Sequence, residues 1–494
     1  LFFLYRDRLR ALSVADVQRA AEAWLRPVNR VLGSFVPTPQ PERAQIPPRS
    51  DVAKATENYR GAERKFTGEA FDPSPQAIEA RVIRRTLPNG IRLAMLPKKT
   101  RGAQVQLSLA LHWGDEPSTR GRHAACRFAG GLLMRGTAKH SRAELHDAFE
   151  RLRATPSIGG GGASLEVQRE HLEQALRLVA EALRQPAFAA AEFEQMKRSS
   201  LTSIDAERSD PAAVLDENLG RHLAPYPKGH WHETQTLAER LSETRAVTVE
   251  DAGRCYRDFL GASGANIAAV GDFDPEAFAR IIEELFGDWK NPAPYARIRK
   301  HYFERPAAER EFLTPDKANA VLRAGLSIAM RDDHPDYPAM VLGSYLLGGS
   351  SNARLPKRIR EKEGLSYSTY SWFRADSQDE VASFGASAIF APANKTRVES
   401  ALREELRRAL ENGFAAEEVE TGRQGFLEAR RLARTQDRAL AARLESYLHI
   451  GRTLAWDIEF EGRVAALTAG QVRDALRRNI DLNKLSVMKA GDFK

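Results

Sequence analysis

One pattern occurs three times in this chain and sets the size of its folding units. A Ser or Thr suited to capping a helix is followed by an amphipathic segment, then by a short apolar run that closes in Gly-x-Phe. The copies begin at Ser13, Thr248 and Thr468 and end at Gly33-Ser34-Phe35, Gly271-Asp272-Phe273 and Gly491-Asp492-Phe493. Each predicts a helix that feeds a buried strand, and copies spaced by roughly 200 residues predict modules of that size with a common ending. The 494 residues then divide into the end of a preceding module (1–36), a linker (37–80) and two complete modules (81–295 and 296–494).

The linker is legible because Pro37, Pro39, Pro41, Pro47 and Pro48 are incompatible with helix interiors and central strands. The chain opens on Leu1-Phe2-Phe3-Leu4-Tyr5 and passes directly to Arg6 without a small-residue cleavage site, so it is expected to begin inside a longer protein. Module one starts with a hairpin signal, Val82 to Leu87 and Ile91 to Leu96 around the turn-forming Pro88-Asn89-Gly90. Helices are predicted over 122–134, 142–151, 171–184 and 190–207. In module two an apolar helix, Tyr337 to Leu347, precedes a helix from Arg354 to Glu363 and a strand from Leu365 to Trp372. The fold class expected is α+β.

Charge narrows the function. Lys and Arg total 74 against 66 Asp and Glu, a net +8 that could attract phosphate. The signs are interspersed, however, as in Arg403-Glu404-Glu405-Leu406-Arg407-Arg408, which reads as a solvated helix face and excludes nucleic acid as the expected partner. No apolar run reaches the eighteen or so residues of a membrane span. Cys126 and Cys255 stand outside any C-x-x-C or Cys/His cluster and define neither a metal site nor a redox compartment. His230-Trp231-His232-Glu233, which follows Pro225, Pro227 and Gly229, reads as a solvated or packed loop in preference to a metal site. The Gly159-Gly160-Gly161-Gly162 run lacks the Lys-Ser/Thr of a phosphate loop and is read as a turn or a point of close backbone approach.

The segment Arg360-Glu361-Lys362-Glu363-Gly364-Leu365-Ser366-Tyr367 carries the most chemistry. Leu355 and Ile359 form an apolar stripe, Gly364 fits a helix C-cap, and a helix turning directly into a strand can bring side chains seven positions apart to one surface. With its lead-in, Ser350-Ser351-Asn352-Ala353-Arg354-Leu355, this segment resembles the substrate-side signature of the insulinase/pitrilysin family of zinc peptidases. In that family an inverted H-x-x-E-H helix supplies two zinc-ligating histidines and the glutamate that deprotonates the bound water.

In module one, Leu132-Leu133-Met134-Arg135-Gly136-Thr137 resembles the sequence after that motif, and counting back puts Arg127-Phe128-Ala129-Gly130-Gly131 where it would stand. Arg127, Gly130 and Gly131 thus replace the motif's three functional residues. Ser203, on the helix leading into Ser209-Asp210-Pro211, replaces the third ligand, and Met196 replaces a second acidic residue. The chain therefore resembles the C-terminal, non-zinc-binding half of such a peptidase. The resemblance implies two related sheet-plus-helices modules of the LuxS/metallopeptidase-like type, packed as one half of a clamshell.

It further implies no cofactor in this chain, with zinc on a missing N-terminal half of the same parent. Arg360 would position the peptide substrate and Tyr367 would support the oxyanion. The parent is then expected to be a zinc metalloendopeptidase and this chain inactive by itself. The alternative is a purely structural or peptide-binding module, with Arg360 paired to a neighbouring acid and Tyr367 packed in its sheet. Compartment is not legible, and a bacterial periplasmic location follows only at the level of the family.

Overall fold

The computed structural model describes residues 2–26, Val28, Arg30, Val31, Gly33, Glu57 and 68–493. Most of the predicted linker (37–80), and Ser34 and Phe35 of the first repeat, lie outside the described residues. The chain divides into two units, residues 1–66 and 67–494. The first contains helices Phe2–Ala11 and Val14–Trp24.

The repeated helices form for one local reason. Ser13, Thr248 and Thr468 each accept from the backbone N–H three residues on, and Asp16, Asp251 and Gln471 each return a bond to the cap's own backbone N–H. These reciprocal bonds satisfy amide groups that a helix start leaves unpaired.

The second unit holds two mixed sheets. The first contains β1 (Ile83–Thr86), β2 (Arg92–Pro97), β3 (Gln104–Ala110), β4 (Thr155–Gly159), β5 (Gly162–Gln168) and β6 (Asn266–Gly271), in the order β1-β2-β6-β3-β5-β4. The other contains β7 (Glu309–Leu313), β8 (Ala320–Ile328), β9 (Ser366–Ala375), β10 (Ala382–Phe390) and β11 (Ser486–Gly491), in the order β7-β11-β8-β10-β9. The two repeated strands hold equivalent central places. β6 pairs parallel with β2 and antiparallel with β3, and β11 pairs parallel with β7 and antiparallel with β8. The predicted hairpin is β1 and β2, with Gly90 at a positive φ that its turn requires.

Alternation sends each strand's side chains to two faces, and both faces of each sheet are covered. On one face of the first sheet, Leu93, Met95, Val105, Leu107, Ile267 and Ala269 pack with helices of the same module. On its other face Ala94, Leu96, Ala268 and Val270 meet Leu440, Ala441, Leu444 and Tyr447 of helix Asp437–Ile450, which lies in the chain between β10 and β11 of the other sheet. The exchange is reciprocal. Helix Pro211–Leu223 of the first module lays Leu215 and Leu219 on Val321, Met488 and Ala490 of the second sheet. Gly325 in β8 admits it, because a Cβ there would stand 3.3 Å from both Leu219 and Leu223.

One covalent link was not legible in the sequence. Cys126 on helix His123–Leu132 and Cys255 on helix Val249–Phe259 form a disulfide across 129 residues of sequence, with Cα atoms 5.3 Å apart. Neither cysteine sits in a motif that would have announced this pairing.

Because each exchanged helix seals the other module's sheet, Leu215→Ala and Leu444→Ala should each cost about 2–5 kcal/mol, the usual range for truncating a buried leucine. Denaturant unfolding should remain one transition in both variants. Independent loss of a single module would contradict the exchange as the unit of stability.

Candidate functional site

Arg360 and Tyr367 come together at one end of β9, an edge strand of the five-stranded sheet. The segment before β9 is helical as predicted, but over Pro356–Lys362 it is wound as a π-helix, with Glu363 N–H donating to the Arg358 carbonyl five residues back. Such wide turns are uncommon and cluster at functional positions. Leu355, Pro356 and Ile359 are buried beneath it, and Gly364 ends it at a φ of 61°. Two of its arginines are neutralised. Arg354 is bidentate to Glu418, holding that carboxyl below its ordinary range, and Arg358 meets Glu363, Glu404 and Glu405.

Arg360 differs from both. It is exposed, makes no hydrogen bond or ion pair to a described residue, and its guanidinium lies 5.9 Å from the centre of the Tyr367 ring. The cation and the ring face are thus in mutual contact range.

Tyr367 departs from regular strand alternation. β9 and β10 pair in one register through Ser368↔Ile389, after which Phe390 pairs with Ser366, so that Tyr367 is an extra residue opposite no partner. This β-bulge turns its side chain out. Tyr367 is 85% exposed, while Leu365 and Thr369, which a regular strand would place on the same side, are 3% and 7% exposed. Bulges commonly re-aim a side chain in this way. The buried Ser366 hydroxyl lies 2.6 Å from the Ile389 carbonyl and 2.8 Å from that of Ser368, fastening the bulge from both strands. Arg360, Tyr367, Gly349, Ser351 and Tyr370 line an open cleft of about 310 Å³. Its floor is close because Gly348 meets β9 backbone to backbone, where a Cβ would stand 2.4 Å from Ser371 N.

The four positions that match the zinc motif and its third ligand hold a different arrangement. Arg127 donates through Nη2 to Thr244 Oγ1 at 2.9 Å. Gly130 lies against the β4–β5 turn, where a Cβ would come within 2.6 Å of Gly160 N. At Gly131 a Cβ would meet the Met196 Sδ and Cε at 2.8 Å. Ser203 is exposed on helix Ala190–Glu207. Backbone at Gly160 therefore fills the space beside Gly130, and the end of the Met196 side chain lies over Gly131. This contact also accounts for the glycine run, since Gly160 is the residue that admits Gly130.

The His230-Trp231-His232-Glu233 segment is a packed loop. His230 stacks on Tyr226 at 4.5 Å and burial lowers its pKa, while His232 Nε2 lies 3.2 Å from the Ile298 carbonyl. Among the described residues, no three His, Cys, Asp or Glu side chains converge as a metal would require.

A variant that rebuilds the motif, Arg127→His with Gly130→Glu, Gly131→His and Ser203→Glu, is expected to bind no stoichiometric zinc by metal analysis. Gly130→Ala alone should destabilise by about 1–3 kcal/mol through overpacking, and wild-type stability in denaturant would contradict the close contact.

Comparison with known proteins gives this geometry its context. The profile of the peptidase M16 inactive domain matches residues 246–426. An uncharacterised zinc protease of Streptomyces coelicolor is 25% identical over 83% of this chain and 90% of its own length. A non-peptidase homologue, YmxG, of Helicobacter pylori is 19% identical over 77% of this chain and 87% of its own. Among solved structures, the peptidase M16 inactive domain of Pseudomonas fluorescens superposes with a TM-score of 0.71 at 19% identity, covering 83% of this chain and 97% of that one. The periplasmic protease PqqL of Escherichia coli gives 0.66 at 15% identity, covering 98% of this chain but 51% of that one. Residues 246–426 thus match the peptidase M16 inactive domain, and over most of its length the chain resembles the C-terminal, inactive half of insulinase/pitrilysin (M16) peptidases.

Proposed function

We propose that this chain is the substrate-side half of a zinc metallopeptidase, enclosing an extended peptide and offering Arg360 and Tyr367 to a scissile carbonyl held at a zinc site on a companion N-terminal half. The observation that carries the proposal is the bulge at Tyr367, which exposes a phenol that regular pairing would have buried and sets it beside a guanidinium engaged by no described acid. Zinc on the companion would supply a polarised, deprotonated water. On this chain, the Tyr367 hydroxyl donates to the carbonyl oxygen as it gains negative charge, and Arg360 orients the same carbonyl or the adjoining backbone. Donors preset toward developing charge are stronger in the transition state than in the ground state, which is the condition for catalysis. The unpaired edge of β9 supports capture of substrate as an added strand, a mode that reads backbone before side chains.

A second reading, a structural or peptide-binding module without a catalytic role, is favoured by one observation. The relative from Helicobacter pylori, similar over most of its length, is named a non-peptidase homologue.

The two readings separate on Tyr367→Phe and Arg360→Gln measured with the companion half present. The first predicts that Tyr367→Phe lowers kcat by about 10²–10³, the usual loss on removing one oxyanion donor, with KM little changed. Unaltered turnover in both variants would leave only the second reading.

A further inference from the structure

At the end of the first sheet, residues from both sides of the module junction line an open cleft of about 440 Å³. Arg92 opens β2, His112 follows β3, and Ser263 precedes β6. Tyr295 and Arg297 come from the connecting segment, and His449 ends helix Asp437–Ile450. The two imidazoles stack with centroids 4.4 Å apart, and Tyr295 lies 5.3 Å from His112. The two ionised side chains that line the cleft are both arginines. Arg297 is bidentate to Asp379, but Arg92 has no hydrogen-bonding or ionic side-chain partner among the described residues, and no acid lines the cleft. Asn266, wholly buried, contacts His112 Nε2 through Nδ2 at 2.6 Å, while its Oδ1 has no partner among the described residues.

Burial, His449 and Arg92 push His112 down to about 4, and burial, Arg92 and Arg297 lower His449. Both rings are therefore neutral near pH 7, stacked in a positive field that an anion would offset. Guanidinium cannot ligate a metal and repels a cation, whereas its fork fits the oxygens of a carboxylate or phosphate. We propose that this cleft binds a compact oxyanion, held by Arg92, the Tyr295 hydroxyl and the two imidazoles, and that it thereby bridges the two modules. Binding favours protonation of His112 and His449. Rotation of the Asn266 amide would then let its unpaired Oδ1 accept from His112 Nε2–H.

Calorimetric titration of the intact chain with sulfate, a phosphate mimic whose charge stays fixed over the range used, and with acetate tests this against chloride at equal ionic strength. Saturable binding is expected, tighter near pH 5.5 than near pH 8, because a bound anion favours the protonated imidazoles. Arg92→Gln should weaken it by about tenfold or more, as loss of a charge-assisted bond does. Stronger sulfate binding assigns a phosphate ligand, and stronger acetate binding assigns a carboxylate. Arg92→Lys, which keeps the charge and loses the fork, gives a second reading if Arg92→Gln fails to fold. No saturable binding of either probe, or binding that the folded variants leave unchanged, would overturn the proposal.

The disulfide carries an independent inference. Cys126 and Cys255 are 6% and 1% exposed and use all the cysteine in the chain, so the bond can only be a buried staple between two helices. Such bonds persist in oxidising compartments, and we infer that this protein folds in one. Protein taken from its native host, denatured without reductant and alkylated, should resist modification at both cysteines, and Cys126→Ser with Cys255→Ser should lower the unfolding midpoint. Two freely alkylated thiols would overturn the inference.

Discussion

The structure depends on an exchange of helices between its two sheets. A sheet with apolar residues on both faces needs cover on both, and each module's own helices supply only one side. Leu440, Ala441 and Leu444 come from the second module to the first sheet, and Leu215 and Leu219 go from the first module to the second. Neither sheet is closed without the other. The two modules are therefore fixed relative to each other by burial, with no need for a large polar interface, and the edge strand that carries Tyr367 is held on a two-module frame.

On that frame, equivalent helix-to-strand contacts have taken opposite courses. Both helices bring a glycine against the backbone beside an edge strand, Gly130 against the turn after β4 and Gly348 against β9. In the first module the approach is sealed by Gly160 and Met196, and the disulfide fastens the neighbouring residue, Cys126, to helix Val249–Phe259. In the second module the strand bulges at Tyr367 and leaves a phenol and a guanidinium without an ionic partner among the described residues at the rim of an open cleft. Loss of ligand chemistry in one place and preservation of donor chemistry in the other suit a half that assists at a metal site without holding one.

What could be read from sequence was local. The three Ser or Thr helix caps, the Pro88-Asn89-Gly90 turn and the meeting of Arg360 with Tyr367 follow from spacings of a few residues. The features that escaped are set by distant partners. The bulge is a mismatch between β9 and β10 and cannot be seen in β9 alone. The π-winding of Pro356–Lys362 depends on how that segment packs before it enters the strand. The disulfide joins cysteines 129 residues apart with no motif around either. His112 and His449 sit in different modules, and only the exchanged helix brings their rings together. Periodicity registers which face of a helix is apolar, but not which sheet it will cover.

The most direct test of the account is zinc content and peptide hydrolysis of this chain alone and together with a zinc-bearing companion half. The account predicts neither zinc nor cleavage in the chain alone, and cleavage once both halves are present that exceeds whatever the companion achieves by itself. Stoichiometric zinc or peptide cleavage in this chain alone, or a companion whose turnover is indifferent to it, would contradict the central claim that the active site is divided between two halves.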